Sequence, residues 1–308
     1  MTLTAPRLTV ADLQGSRRRA RKERAVHLLF QAAATVSIII SAAIIWSLAA
    51  EAWTFISQVD TGELWTTGWF PRRGNYDIKT IVVGSVLVTG IALVVAIPLG
   101  LGCAVYLSEY APPNVRRVLK PVLEILAGIP SVVLGFFALT WISPQLVQRF
   151  VDGSTQFNMA AAGIGVGILI IPLVASVSED AMRSVPQSMR EAAYGVGARK
   201  VTTSVRVVMP AAVSGIVAAL IVAISRAIGE TMIVFLAAGG TGLFTTDVFQ
   251  PGLTMTAATA TQAAGTDQVV GEALTFQSLF FVGMLLFLIT LVLNLAADRF
   301  VRRVRQRY

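Results

Sequence analysis

Arg226 and Glu230 are the residues whose types and spacing are best suited to chemistry. Both lie in an otherwise apolar run. A charge inside such a run is costly and is by default a functional candidate. Four residues apart on a helix, the two share one face. A guanidinium can grip an oxyanion with two parallel hydrogen bonds, which an ammonium cannot. The carboxylate can neutralise the guanidinium when no anion is present. With the flanking hydroxyls of Ser225 and Thr231, these residues form a candidate path for an anionic substrate. A structural ion pair tying two helices is the simpler alternative.

The rest of the inventory argues against an enzyme. The single histidine, His27, and the single cysteine, Cys103, exclude a cysteine metal cluster and a His-based zinc site. His27 is expected at the cytoplasmic end of the first span, away from any catalytic serine. No G-x-x-x-x-G-K-[ST] occurs, so the chain is not expected to bind and hydrolyse ATP itself. Gly239-Gly240-Thr241-Gly242 reads as a helix terminator and turn. No catalytic residue, metal site or cofactor is expected in this chain.

The elements that must position these side chains are membrane helices. Of 308 residues, 55% are hydrophobic and 14% charged, with mean hydropathy +0.71. Soluble domains carry about 25% charged residues. A bilayer core needs roughly 20 apolar residues as a helix. Six stretches qualify: Leu28–Ala50, Ile81–Leu107, Pro121–Val147, Met159–Val177, Ala211–Ala238 and Phe276–Ala297. The third is interrupted near its start by Glu124, Gly128 and Pro130, where a kink is the simplest expectation. Arg226 then lies about 24 Å past Pro210 at 1.5 Å per residue, beyond the midplane.

The net charge of +8 is a matter of topology. Twenty Lys and Arg fall in the N-terminal tail, the second-to-third and fourth-to-fifth connections and the C-terminal tail. Four fall in the alternate connections, and one is Arg226. This bias predicts both termini in the cytoplasm. The basic run Arg17–Arg24 lacks the interleaved aromatics that stack bases, so nucleic acid is not an expected partner. The organisation is a basic tail over 1–27, a six-helix membrane domain over 28–297 and a basic tail over 298–308. Glu109 and Glu124 are expected to pair with Arg116, Arg117 or Lys120. Gly163 and Gly167 suit close helix packing. In the outer loop over 51–79, Trp53, Trp65, Trp69, Phe70 and Tyr76 read as interface anchors. The loop over 239–275 is long enough to fold over the outer mouth or meet a partner.

The inner connection over about 184–210 carries the strongest signal. Ser184-Val185-Pro186 reads as a helix start, and Gly197 ends or bends that helix. Val201, Val205 and Val208 recur at helical spacing, and Pro210 opens the next span. Two short helices joined by a glycine elbow are expected there.

This segment resembles the signature of ABC importer permeases: Glu-Ala-Ala, three residues, Gly, nine residues, an aliphatic, one residue, an aliphatic, Pro. Val207 and Met209 stand at the aliphatic positions. YLSEYAPP (Tyr106–Pro113), LEILAGIPSVV (Leu123–Val133), REAAYGVGA (Arg190–Ala198) and SRAIGETMIV (Ser225–Val234) are similar to the phosphate-specific (Pst) permeases over roughly residues 80–300. Gly229–Met232 and Thr254–Ala257 are more like the PstC subunits than the PstA subunits. The resemblance implies an all-α type I importer permease in a bacterial plasma membrane. Glu191, Ala192, Ala193, Gly197, Ala198 and Arg199 would form the helix that docks on an ATPase subunit. It implies a second, PstA-like permease, two ATPase subunits carrying ATP and magnesium, and an extracytoplasmic phosphate-binding protein. The pair at 226 and 230 would then meet phosphate, whose remaining proton Glu230 could accept as a hydrogen bond; sulfate at neutral pH has none. The alternatives are a permease for another oxyanion, such as sulfate or molybdate, and a passive channel, which would have no use for a docking elbow.

Overall fold

The computed structural model describes residues 17–65, 68–265 and 274–304. The chain divides into two units, residues 1–50 and 51–308. Helix α1 (Arg17–Gln58) carries residues of both. In the first unit, its side chains from Arg21 onward are mostly exposed, including Leu28, Phe30, Ile38 and Trp46. An apolar helix exposed all round suits a lipid environment.

The second unit contains a short hairpin, β1 (Trp69–Phe70) and β2 (Asn75–Tyr76), with Trp69 opposite Tyr76. Both residues are buried, and Tyr76 packs edge-on against Phe55, their ring centroids 5.0 Å apart. They are core residues, in contrast to the expected interface anchors; Trp53 and Trp65 are exposed. Asp77 starts helix α2 (Ile78–Tyr110), accepting from Lys79 N and Thr80 Oγ1. The last turn of α2, Tyr106–Tyr110, is π-helical.

Next come α3 (Pro113–Ala127) and α4 (Ser131–Phe150). The expected third span from Pro121 is thereby corrected. Gly128 ends α3, and Pro130, which cannot continue the ladder, starts α4. α3 is amphipathic, with Val118 and Ile125 exposed. Asn158 caps α5 (Met159–Arg183), accepting from Ala161 N at 2.7 Å and donating to Ser143 Oγ at 2.9 Å.

α2 and α5 form the centre of the unit. A Cβ at Gly163 would lie 2.7 Å from Ile91 Cβ, and one at Gly167 would lie 2.9 Å from Val95 Cβ. Only glycine permits this approach, as the Gly-x-x-x-Gly spacing suggested. After α5 follow α6 (Gln187–Gly195), α7 (Lys200–Ala211), α8 (Val213–Ile228), α9 (Met232–Ala237), α10 (Met255–Ala264) and α11 (Thr275–Val304).

Among the described residues, five helices are long and apolar enough to cross a membrane, over Arg21–Gln58, Ile78–Tyr110, Ser131–Phe150, Met159–Arg183 and Thr275–Arg303. The pair of α7 and α8, bent by 72°, makes six when counted as one span. The expected continuous span Ala211–Ala238 is broken twice, at Ala212 and at Gly229–Thr231.

The described part of the outer segment after α9 runs back into the molecule. Its α10 begins in the core, with Met255, Thr256, Ala257 and Ala258 buried. Met255 N donates to Ser85 Oγ of α2 at 2.9 Å. Asp267 and Glu272 lie outside the described residues.

Candidate functional site

The helix–elbow–helix at 187–211 follows from local chemistry. Pro186 sits at the N-cap of α6, with no N–H to leave unsatisfied. Val196 ends the helix, and Gly197 turns left-handed at φ +80°. Gly197 N donates to Tyr194 O at 2.9 Å, and Ala198 N donates to Ala193 O at 3.0 Å. This is the Schellman closure, in which a left-handed residue satisfies two terminal carbonyls. The spacing of the motif acquires a physical reason. The second alanine of Glu-Ala-Ala supplies the far carbonyl, Gly197 makes the turn, and Ala193 and Ala198 meet at the closure. Extended Arg199 then starts α7.

Glu191, Ala192, Gly197 and Arg199 are exposed, while Ala193 and Ala198 are half-buried. Around them Val196 is 86% exposed and Val201 61%. An apolar patch ringed by charge marks a protein contact surface.

Ion pairs fasten this end of the molecule. Arg190 meets Glu109 at 3.0 Å and donates to the carbonyls of Val185 and Met182 at 2.7 and 2.9 Å. Glu179, buried near the end of α5, meets Arg116 at 2.6 Å and Lys120 at 3.3 Å. Lys120 also meets Asp180 at 2.7 Å. The hydrogen bond with Asp180 holds the Lys120 ammonium protonated above its ordinary 10.5, with further help from Glu179 and against partial desolvation. The expected pairing of Glu109 with Arg116, Arg117 or Lys120 is corrected. Those cations lie on α3, which packs against α5, whereas the π-helical turn presents Glu109 to α6. Glu179 escaped the sequence reading, and Arg190 was read there only as part of the elbow motif and the basic charge. The signal available for Glu179 was a carboxylate at the end of an apolar run.

The candidate path residues are arranged differently from the sequence expectation. Arg226 lies on the last turn of α8, about 20 Å from Val213 at 1.5 Å per residue. The helix stops at Ile228, so Glu230 does not share its face. The two form no ion pair. Arg226 is exposed and has no ion-pair partner among the described residues. Glu230 is buried in the break. Its carboxylate faces Ile233 N at 3.5 Å at the start of α9, and its carbonyl accepts from Thr256 Oγ1 at 2.8 Å. Ser225 Oγ donates to Asn294 of α11 at 2.9 Å, and Thr231 Oγ1 donates to Gly229 O. Thr256, within the Thr254–Ala257 motif, ties α10 to the break, and Ser85, which ties α10 to α2, had no distinguishing pattern in sequence.

An all-helical membrane chain with an exposed Glu-Ala-Ala elbow and a broken span is built as a transporter subunit. The chain belongs to the family of binding-protein-dependent transport system inner membrane components, whose model matches residues 96–307. It is a multi-pass permease subunit of an ABC importer. Phosphate transport system permease protein PstC of Mesorhizobium japonicum is 30% identical over 94% of this chain and 93% of its own length. PstC of Pasteurella multocida is 30% identical over 86% and 87%. PstA 1 of Mycobacterium tuberculosis is 31% identical over 94% and 91%. Among solved structures, a bacterial alginate ABC transporter in complex with alginate-bound periplasmic protein has a chain that covers 92% of this one and is itself 98% covered, with TM-score 0.64 and 14% identity. An inward-facing MetNI methionine ABC transporter has TM-score 0.54 and 21% identity, covering 74% and 97%. At such identities the structures establish the fold, that of the type I importer permeases.

Proposed function

We propose that this chain forms half of the membrane path of an ATP-driven importer of inorganic phosphate. The exposed elbow carries the reading: Ala193, Gly197 and Ala198 close a Schellman turn whose outer face, with Glu191, Ala192, Arg199 and Val196, is left uncovered by the other described residues. A separate ATPase docks there, and two such ATPase subunits hold the ATP and magnesium that this chain does not. A second, PstA-like permease completes the path, and an extracytoplasmic phosphate-binding protein delivers the anion. Both termini and the elbow are cytoplasmic in a bacterial plasma membrane, as the Lys/Arg bias supports. The relatives named as phosphate permeases support phosphate over sulfate or molybdate. The docking elbow disfavours a passive channel.

Closure of the ATPases moves the elbow. The 72° bend between α7 and α8 then carries Arg226 with it. The exposed guanidinium offers a bidentate contact to the anion. Ser225 and Thr231 border that contact, and Glu230 shapes the break rather than neutralising Arg226. The test is uptake by proteoliposomes holding the whole complex, with labelled phosphate and sulfate compared. ATP-dependent phosphate uptake is expected; equal uptake of sulfate, or uptake without ATP, removes the reading.

A further inference from the structure

The motif Tyr106–Tyr110 has no part in docking or in the anion path. Its place in the fold gives it one. A π-helical turn closes α2, with Ala111 N donating to Tyr106 O at 2.7 Å. Wider turns of this kind concentrate at functional positions because they re-aim side chains. Here Glu109 and Tyr110 are aimed at the two arms of the elbow. Glu109 receives both Nε and Nη2 of Arg190 on α6, at 3.3 and 3.0 Å. Ser108 Oγ donates to the same carboxylate at 2.8 Å. The pair is almost wholly buried, with side-chain exposures of 11% for Arg190 and 3% for Glu109. Tyr110 lies beneath Lys200, the first residue of α7, with the ammonium 5.0 Å from the ring centroid. One turn of α2 therefore holds the elbow on both sides of Gly197.

Beyond its chain neighbours, no atom of the described residues lies within 4 Å of where a Gly197 side chain would begin. The elbow is free at its tip and fastened at its base. The base leads into the close, glycine-faced packing of α2 with α5. Arg190 reaches the same helix at its inner end, because its other bonds go to the Met182 and Val185 carbonyls where α5 closes. A bidentate, carbonyl-anchored guanidinium is a stiff link, whereas an exposed surface pair is not.

We propose that the Tyr106–Tyr110 turn is the transmission contact of this permease: Glu109 and Arg190 are positioning residues that convert movement of the elbow into movement of α2 against α5, and Tyr110 with Lys200 is the second point of the grip. The proposal rests on the elbow being the ATPase dock, and its experiment separates the two.

The whole complex is purified and reconstituted in three versions. Glu109→Gln keeps the shape and hydrogen-bond acceptor while removing the charge. Glu109→Gln/Arg190→Gln removes the link without leaving a buried charge alone. Val196→Asp alters the exposed tip only. Three quantities are read: ATPase subunits recovered with the permease, basal ATP hydrolysis, and phosphate taken up per ATP hydrolysed. Both link variants are expected to retain the ATPase subunits and basal hydrolysis, and to lose about tenfold in phosphate per ATP. The double variant should be no worse than the single, because neighbours acting as one unit are not additive. Val196→Asp should instead lose the ATPase subunits. Wild-type phosphate per ATP in both link variants overturns the transmission role. So does loss of ATPase subunits in them, which would make the pair part of the dock. Normal ATPase recovery with Val196→Asp overturns the docking reading instead.

Discussion

Replacing Gly197 separates two reasons for a glycine at the elbow. The first is conformational. The residue sits at φ +80°, and an L-residue in the left-handed region costs roughly 1–2 kcal/mol. The second is room on the ATPase surface. Among the described residues there is no crowding, since nothing but its chain neighbours lies within 4 Å of a built Cβ. The intrinsic penalty of Gly197→Ala is therefore the backbone term alone, a factor of about 5–30 in the population of the closed elbow. Asn tolerates the left-handed region better than Ala or Val, although it is larger. If conformation dominates, the order of stimulated ATP hydrolysis in the reconstituted complex is Gly, Asn, Ala, then Val. If room dominates, Ala exceeds Asn, and Gly197→Asp abolishes stimulation while the permease remains inserted. The assay is phosphate-stimulated hydrolysis, normalised to permease recovered. Wild-type stimulation by Ala, Val and Asp variants together would refute both reasons and remove Gly197 from the dock.

Arg226→Lys should reduce phosphate uptake at least tenfold with ATPase assembly preserved, since charge remains but the bidentate contact is lost; equal uptake would place the path elsewhere. Glu230→Gln should impair uptake less than Arg226→Lys, because Glu230 holds the start of α9; this is read in the same proteoliposomes. In a Cys103→Ser background, an impermeant thiol reagent on intact cells should label a cysteine at Ala264 and leave one at Ser184 unlabelled, and the reverse would invert the topology. Gly163→Val should destabilise the α2–α5 contact by about 1–3 kcal/mol, read as a lowered unfolding temperature of the purified protein. Lys120→Met should lower the same temperature below pH 10.5, where the ammonium is held. That difference should shrink only as pH rises through the raised value, because the group's folded pKa lies above its unfolded one.

Long-range order in the composition was readable without coordinates. A helix of about 20 apolar residues is a local property, because the bilayer requires each backbone group to be satisfied within its own segment. The spans from Ile78, Met159 and Thr275 could therefore be read from the chain. The glycine elbow was legible for the same reason: a Schellman turn is made of residues within one stretch, and Gly197 is where that stretch requires a left-handed residue. What the sequence could not decide was which distant partner each charge meets. Glu109 had several cations near it in sequence, but it pairs with Arg190, eighty-one positions away, because a π-helical turn rotates it off the α3 side. Arg226 and Glu230 kept helical spacing on paper, yet α8 ends at Ile228, Glu230 N tightens onto Ala227 O, and Thr256 of a distant segment donates to Glu230 O. Ion pairs and helix breaks inside a packed bundle are settled by competition among many possible neighbours, and only the tertiary structure records which of them is close enough to win.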